Sequence, residues 1–123
     1  MATTPEGKVK QRVKAVLKKH GVWYFMPVPC GYGLAGVPDF ICCVRGKFLG
    51  IETKAPGKER TLTRHQAACH RAIRRAGGEV VVVDNADKID IIIQTMIEGD
   101  GDGEADRLRG PLRPDHSEKG GAG

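Results

Sequence analysis

Three residues carry the chemistry open to this sequence: Asp39, Glu52 and Lys54. The two carboxylates are oxygen donors suited to a hard divalent cation. The lysine stands two residues beyond the second acid, so on a strand it points to the same face as Glu52. The segments 39–44 and 47–54 both read as strands, with Arg45-Gly46 between them as a two-residue hairpin loop. Val44 then sits opposite Lys47, and the pairing runs on until Asp39 faces Glu52. Opposed Cβ atoms in such a ladder are about 4.5–5.5 Å apart. Arginine is a poor residue for the positive φ of this turn, and a longer loop would shift the register.

Like charges directly opposed destabilise a sheet unless something neutralises them. Mg²⁺ or Mn²⁺ would do so, and would also polarise a phosphoryl oxygen. Lys54 could hold an attacking water or offset transition-state charge. Pro38, lacking an N–H, suits the start of the strand. The alternative is an exposed sheet face with a Glu52–Lys54 charge pair. The apolar company of Phe40, Ile41, Cys43 and Val44 speaks against it.

The elements that must position these groups follow from periodicity. Val9, Val13, Val16 and Leu17 mark one face of a helix over 5–19, with Thr3 or Thr4 as cap, Pro5 in the first turn and Gly21 at the exit. Residues 22–28 read as a strand, followed by a Gly-rich loop over 29–37. Residues 55–60 form a polar loop, and 63–76 a second helix ending at Gly77-Gly78. Four consecutive valines in 79–83 predict a strand buried on both faces, and 86–97 a last helix. The order α-β-β-β-α-β-α predicts an α/β fold: a three-layer sandwich with a mixed sheet flanked by helices.

Charge divides the chain in two. Residues 1–97 hold 16 Lys and Arg against 8 acids, whereas residues 98–123 hold 4 against 7. The first part is expected to be the folded domain, and the Gly/Pro-rich acidic tail over 98–123 to be disordered. A basic domain is the footprint of a phosphate-backbone binder, although a solvated basic face gives the same count. Residues 100–104 hint at a calcium loop, but Ala105 and Pro111 stand where its essential Gly and Glu belong. Cys30, Cys42, Cys43 and Cys69 form no C-x-x-C, and are expected to be free and mostly buried. With no membrane span and no signal-peptide pattern, the expected location is the cytoplasm.

Gly36-Val37-Pro38-Asp39-Phe40, Gly50-Ile51-Glu52-Thr53-Lys54, Leu62-Thr63 with Gln66, and Gly77-Gly78 before the valine strand occur in one ordered series. This series resembles the VRR-NUC family of the PD-(D/E)XK nuclease superfamily, over roughly residues 6–85. The resemblance implies a restriction-endonuclease-like fold and Mg²⁺- or Mn²⁺-dependent phosphodiester cleavage in DNA. Asp39 and Glu52 match its metal-binding acids, Thr53 would offer its backbone carbonyl, and Lys54 matches its catalytic lysine. Glu6 matches a first-helix glutamate that adds to the metal site, and Gln66 a catalytic-site glutamine. Short members of this kind, from bacteria or phage-infected cells, act as homodimers on branched DNA such as four-way (Holliday) junctions. A nicking or restriction-like endonuclease and an inactive DNA-binding module are the alternatives.

Glu6 and Gln66 also have a plain structural explanation. Thr3-x-x-Glu6 and Thr63-x-x-Gln66 both fit a capping box, and one rotamer is not expected to serve both cap and site. Candidate DNA contacts are Lys8, Arg12, Lys58, Arg64 and Arg71, with Tyr32 able to stack on a base. His65 and His70, five apart rather than four, do not make a zinc pair and are expected on the same basic surface as Arg64, Arg71, Arg74 and Arg75. Gly31 to Gly36 matches G-x-G-x-x-G, but Pro38 and a β-rich run follow where a helix must open, so no nucleotide cofactor is expected.

Overall fold

The computed structural model describes residues 4–28 and 33–99. Helix α1 spans Pro5–Lys19, and Thr4 is its N-cap, accepting a hydrogen bond from the Gly7 N–H at 3.0 Å. Pro5 needs no such partner, and Lys18 and Lys19 face the negative end of the helix dipole. With Thr4 rather than Thr3 as cap, Glu6 lies one position short of a capping box and has no capping role. Val9, Val13 and Leu17 form the buried stripe. Gly21, at φ +67°, turns the chain out of the helix.

Among the described residues the sheet has four strands in the order β1-β2-β3-β4: β1 Trp23–Phe25, β2 Phe40–Val44, β3 Lys47–Thr53 and β4 Glu79–Val83. The first two pairings are antiparallel and β3–β4 is parallel. Strand β1 is shorter than the predicted 22–28. Pro27, which would continue the ladder towards Asp39, has no N–H to give. Helices α2 (Arg64–Arg75) and α3 (Ala86–Gly99) are the remaining described elements, α3 continuing two residues past the predicted boundary at 97. The tail from residue 100 lies outside the described residues.

The β2–β3 hairpin settles the register on which the site depends. Val44 pairs with Lys47 and Phe40 with Ile51. Arg45 accepts the positive φ of the turn, at +52°, beside Gly46 at +85°. The two-residue loop therefore forms despite the arginine.

Helices α1 and α3 cover one face of the sheet and α2 lies over the other. The first face is the core: Val9, Val13 and Leu17 of α1, Phe40, Cys42, Val44, Leu49, Ile51 and Val83 of the sheet, and Ala86, Ile89 and Ile93 of α3. The three layers are those predicted. The valine strand departs from its prediction because β4 is a sheet edge. Val80 and Val83 are buried, but Val81 and Val82 are only half-buried.

Candidate active site

Glu52 lies in the penultimate position of β3, on the face covered by α2. Its side chain is almost wholly buried, with the residue 3% exposed. Lys54 follows the strand, where its N–H bonds to the Val83 carbonyl at 2.9 Å and so keeps it in line with the sheet. Asp39 immediately precedes β2. Its Oδ2 accepts from both the Thr53 N–H (2.8 Å) and the Thr53 hydroxyl (2.7 Å). The carboxylate thus closes the ladder where the strands part, and this fixes its orientation.

Two glycines permit this approach. A Cβ on Gly50 would fall 2.8 Å from the Pro38 ring, which packs over β3 beside Asp39. Gly36 has φ +78°, and a Cβ there would collide with the backbone of His65 and Gln66. The loop before Asp39 is therefore seated directly on the N-terminus of α2.

Gln66 joins these parts. Its Oε1 accepts from the Thr63 N–H at 2.9 Å, completing a capping box with Thr63 Oγ1. The same oxygen accepts from Lys54 Nζ at 3.0 Å, and Nε2 donates to Glu52 Oε2 at 2.9 Å. The amide orientation follows from this network, since two donors face one atom. One rotamer therefore serves both cap and site, contrary to the expectation from sequence. The oxygen has two lone pairs and the amide nitrogen remains free for the acid.

Lys54 Nζ also donates to the Thr61 carbonyl at 3.2 Å and stands 4.0 Å from Glu52 Oε2. Two of its three N–H groups are engaged, leaving one for a water or a phosphoryl oxygen. Glu52 Oε1 is buried and has no hydrogen-bond partner among the described residues. Burial, and then the charge of Asp39, push the Glu52 carboxyl up to about 7, while Lys54 pulls it the other way. A buried acid with an unpartnered oxygen, beside a second acid, is a donor set that fits a hard divalent cation. No group of three or more His, Cys, Asp or Glu is gathered as a metal cluster among the described residues. A cation here would rest on two carboxylates and backbone or substrate oxygens.

Lys10, which its spacing alone does not single out, completes the acid cluster. Its Nζ lies 3.6 Å from Asp39 Oδ1 and 4.0 Å from Glu6 Oε2. The signal available was its place one turn after Glu6 on α1. Lys10, Asp39, Glu52 and Gln66 line a cavity of about 680 Å³ with the loop residues Gly33–Pro38. Lys8 and Arg12 are not brought there. They line a separate cavity of about 590 Å³ with Asp84 and Lys88. Lys58, Arg64 and Arg71 are exposed, and Tyr32 lies outside the described residues.

Two side chains depart from their predicted surroundings. His70 is buried rather than on the basic surface, and neither ring nitrogen has a partner among the described residues. Its pKa is lowered by burial and then by Arg74 and Lys54. Arg74 is tied to the Val80 carbonyl at 2.8 Å, whereas His65 is exposed as expected. Cys42 and Cys69 are buried but Cys43 is exposed, and all three are free. Burial, with Cys43 beside it, pushes the Cys42 thiol up to about 12, so Cys42 is an inert core residue. Cys30 lies outside the described residues.

No protein-family model matches the chain, and no curated relative does. A solved structure described as a VRR_NUC domain does match, with TM-score 0.59 and 27% identity over 76% of this chain and 97% of that one. This match supports a nuclease domain of restriction-endonuclease-like architecture. Within that class, the chain is similar to the VRR-NUC domain. No helix among the described residues is long and apolar enough to cross a membrane.

Proposed function

We propose that this domain is a divalent-metal-dependent endonuclease that hydrolyses phosphodiester bonds in DNA. The carrying observation is the buried, unpartnered Glu52 Oε1 beside Asp39, with Lys54 held over the pair by Gln66. Asp39, Glu52 and the Thr53 backbone carbonyl would hold Mg²⁺ or Mn²⁺, with Glu6 at the edge of the site. Such an ion polarises a phosphoryl oxygen and offsets the repulsion between the acids. The remaining N–H of Lys54 would orient the attacking water or stabilise charge on the phosphoryl group. Gln66 keeps the lysine stem in place, and Thr53 keeps Asp39 in place.

DNA as the substrate agrees with the basic balance of residues 1–97 and with exposed Lys58, Arg64 and Arg71. We assign the preferred substrate as branched DNA, cut by a homodimer. A four-way junction has near two-fold symmetry, so two sites related by a dyad suit paired cuts. An apolar surface supports the dimer. Trp23 and Phe25 are 62% and 47% exposed, and Cys43 and Phe48 are exposed on the same sheet face.

The test is a cleavage assay on labelled four-way junction, nicked and linear duplex DNA, with Mg²⁺, Mn²⁺ or EDTA. Wild type should cut the junction only with metal, and Lys54→Ala should lose cleavage by about 10²-fold or more while retaining DNA binding. Cutting of linear duplex alone would remove the junction preference. Binding without cleavage under any metal would overturn the enzymatic reading in favour of a DNA-binding module.

A further inference from the structure

The free oxygen of Asp39 already faces a cation. Oδ2 is engaged by the backbone and hydroxyl of Thr53, which leaves Oδ1, and Lys10 Nζ stands 3.6 Å from it. The same ammonium is 4.0 Å from Glu6. Lys10 thus lies between the two outer acids of the cluster and lines the cavity with Glu52. Its side chain is one-third exposed, on a flexible four-carbon stem that can carry the charge elsewhere without moving α1.

We propose that Lys10 is an internal counter-ion that competes with the divalent cation for Asp39 and yields when a DNA phosphate takes up its ammonium. The inference rests on reading Asp39 and Glu52 as a cation site. An ammonium and a divalent ion on one carboxylate oxygen repel each other, so each weakens the other's hold. A phosphate entering the cavity offers Lys10 a second anion. Metal occupancy then rises with substrate binding, and by linkage the metal strengthens DNA binding by the same factor. Lys54 cannot play this part, since Thr61 and Gln66 hold it in place.

The experiment is titration of the EDTA-stripped full chain with Mn²⁺, followed by calorimetry or by the spin resonance of free Mn²⁺, without DNA. Wild type, Lys10→Met and Lys10→Gln are compared, with circular dichroism confirming that each is folded. Both variants should bind Mn²⁺ about threefold to tenfold more tightly than wild type. In a Lys54→Ala background, which prevents cleavage, a short duplex should raise the Mn²⁺ affinity of the Lys10 protein more than that of the Lys10→Met protein. Equal or weaker Mn²⁺ binding by both folded variants overturns the counter-ion role while leaving the cation site intact. Absence of Mn²⁺ binding from every protein, with or without DNA, overturns the cation site itself.

Discussion

The two faces of the sheet solve opposite problems with the same strands. On the α1/α3 side, Phe40, Leu49 and Ile51 are fully buried among aliphatic side chains. On the α2 side, the intervening position of β3 is Glu52, followed by Lys54 beyond the strand, and both are buried. Here polar atoms lack partners among the described residues: Glu52 Oε1 and both ring nitrogens of His70. Strand alternation sends neighbouring residues to these two environments, so a single strand stabilises the domain with one set of side chains and carries a buried acid and lysine with the other.

The comparison breaks most visibly in the core. Phe40→Ala should cost about 3–5 kcal/mol by losing buried area and leaving a cavity. Denaturant unfolding measures this directly, and a loss under about 1 kcal/mol would mean that the face is looser than its burial indicates.

Glu52→Gln should move stability the other way. The folded-state pKa is raised from 4.5 to about 7. The unfolded chain therefore releases its proton first, and stability falls as pH rises from about 4.5 to about 7. Above that range the folded protein carries a desolvated charge that the glutamine avoids. Without metal at pH 8, the variant should be more stable by roughly 1–3 kcal/mol, and the gain should vanish near pH 4.5. Cleavage should be lost at the same time. Thermal melts in EDTA across this range test the sign, and a destabilised variant at pH 8 would show that Glu52 is well solvated.

Gln66→Ala separates the two faces by function. Loss of the capping box should cost about 1 kcal/mol, a small change beside Phe40→Ala. The same substitution frees Lys54 and removes the donor to Glu52, so cleavage should fall about 10- to 100-fold. Parallel melting and rate measurements decide the matter: equal, small effects on both would reduce Gln66 to a cap.

Much of this arrangement is legible in the sequence because strand periodicity and turn length are local. The length of the Arg45-Gly46 loop alone decides which residue faces which, and so brings Asp39 towards Glu52. The element order and the position of Lys54 on the same face as Glu52 follow from the same alternation. What is not legible depends on tertiary approach. Nothing in the spacing of Gln66 shows that Lys54 will arrive at its other lone pair. Nothing in α1 alone separates Lys10, which reaches Asp39, from Lys8, which faces another cavity. His70 reads as one more basic residue on an Arg-rich helix. Its burial depends on how α2 rotates over β4, with Arg74 turned back to Val80. The four valines of β4 cannot announce that their strand is an edge.

The smallest expected effect on stability concerns the part of the α2-side face that no helix among the described residues covers. Trp23 and Phe25 lie two residues apart on β1, with ring centroids 5.8 Å apart, and pair with Cys43 and Ile41 of β2. Their side chains therefore continue the face that holds Glu52, but stand in the open. In a monomer this exposed aromatic pair contributes little, so Trp23→Ser with Phe25→Ser should change the unfolding free energy of the subunit by no more than about 0.5 kcal/mol each. In the proposed homodimer the same rings would form the apolar centre of the contact, where aromatic anchors dominate affinity. Sedimentation equilibrium should then show the wild type as a dimer and the double variant as a folded monomer. Paired cutting of a junction should give way to single nicks, with the chemistry at each site unchanged. A double variant that stays dimeric would move the contact to another surface, and would leave the uncovered aromatic face without a role in assembly.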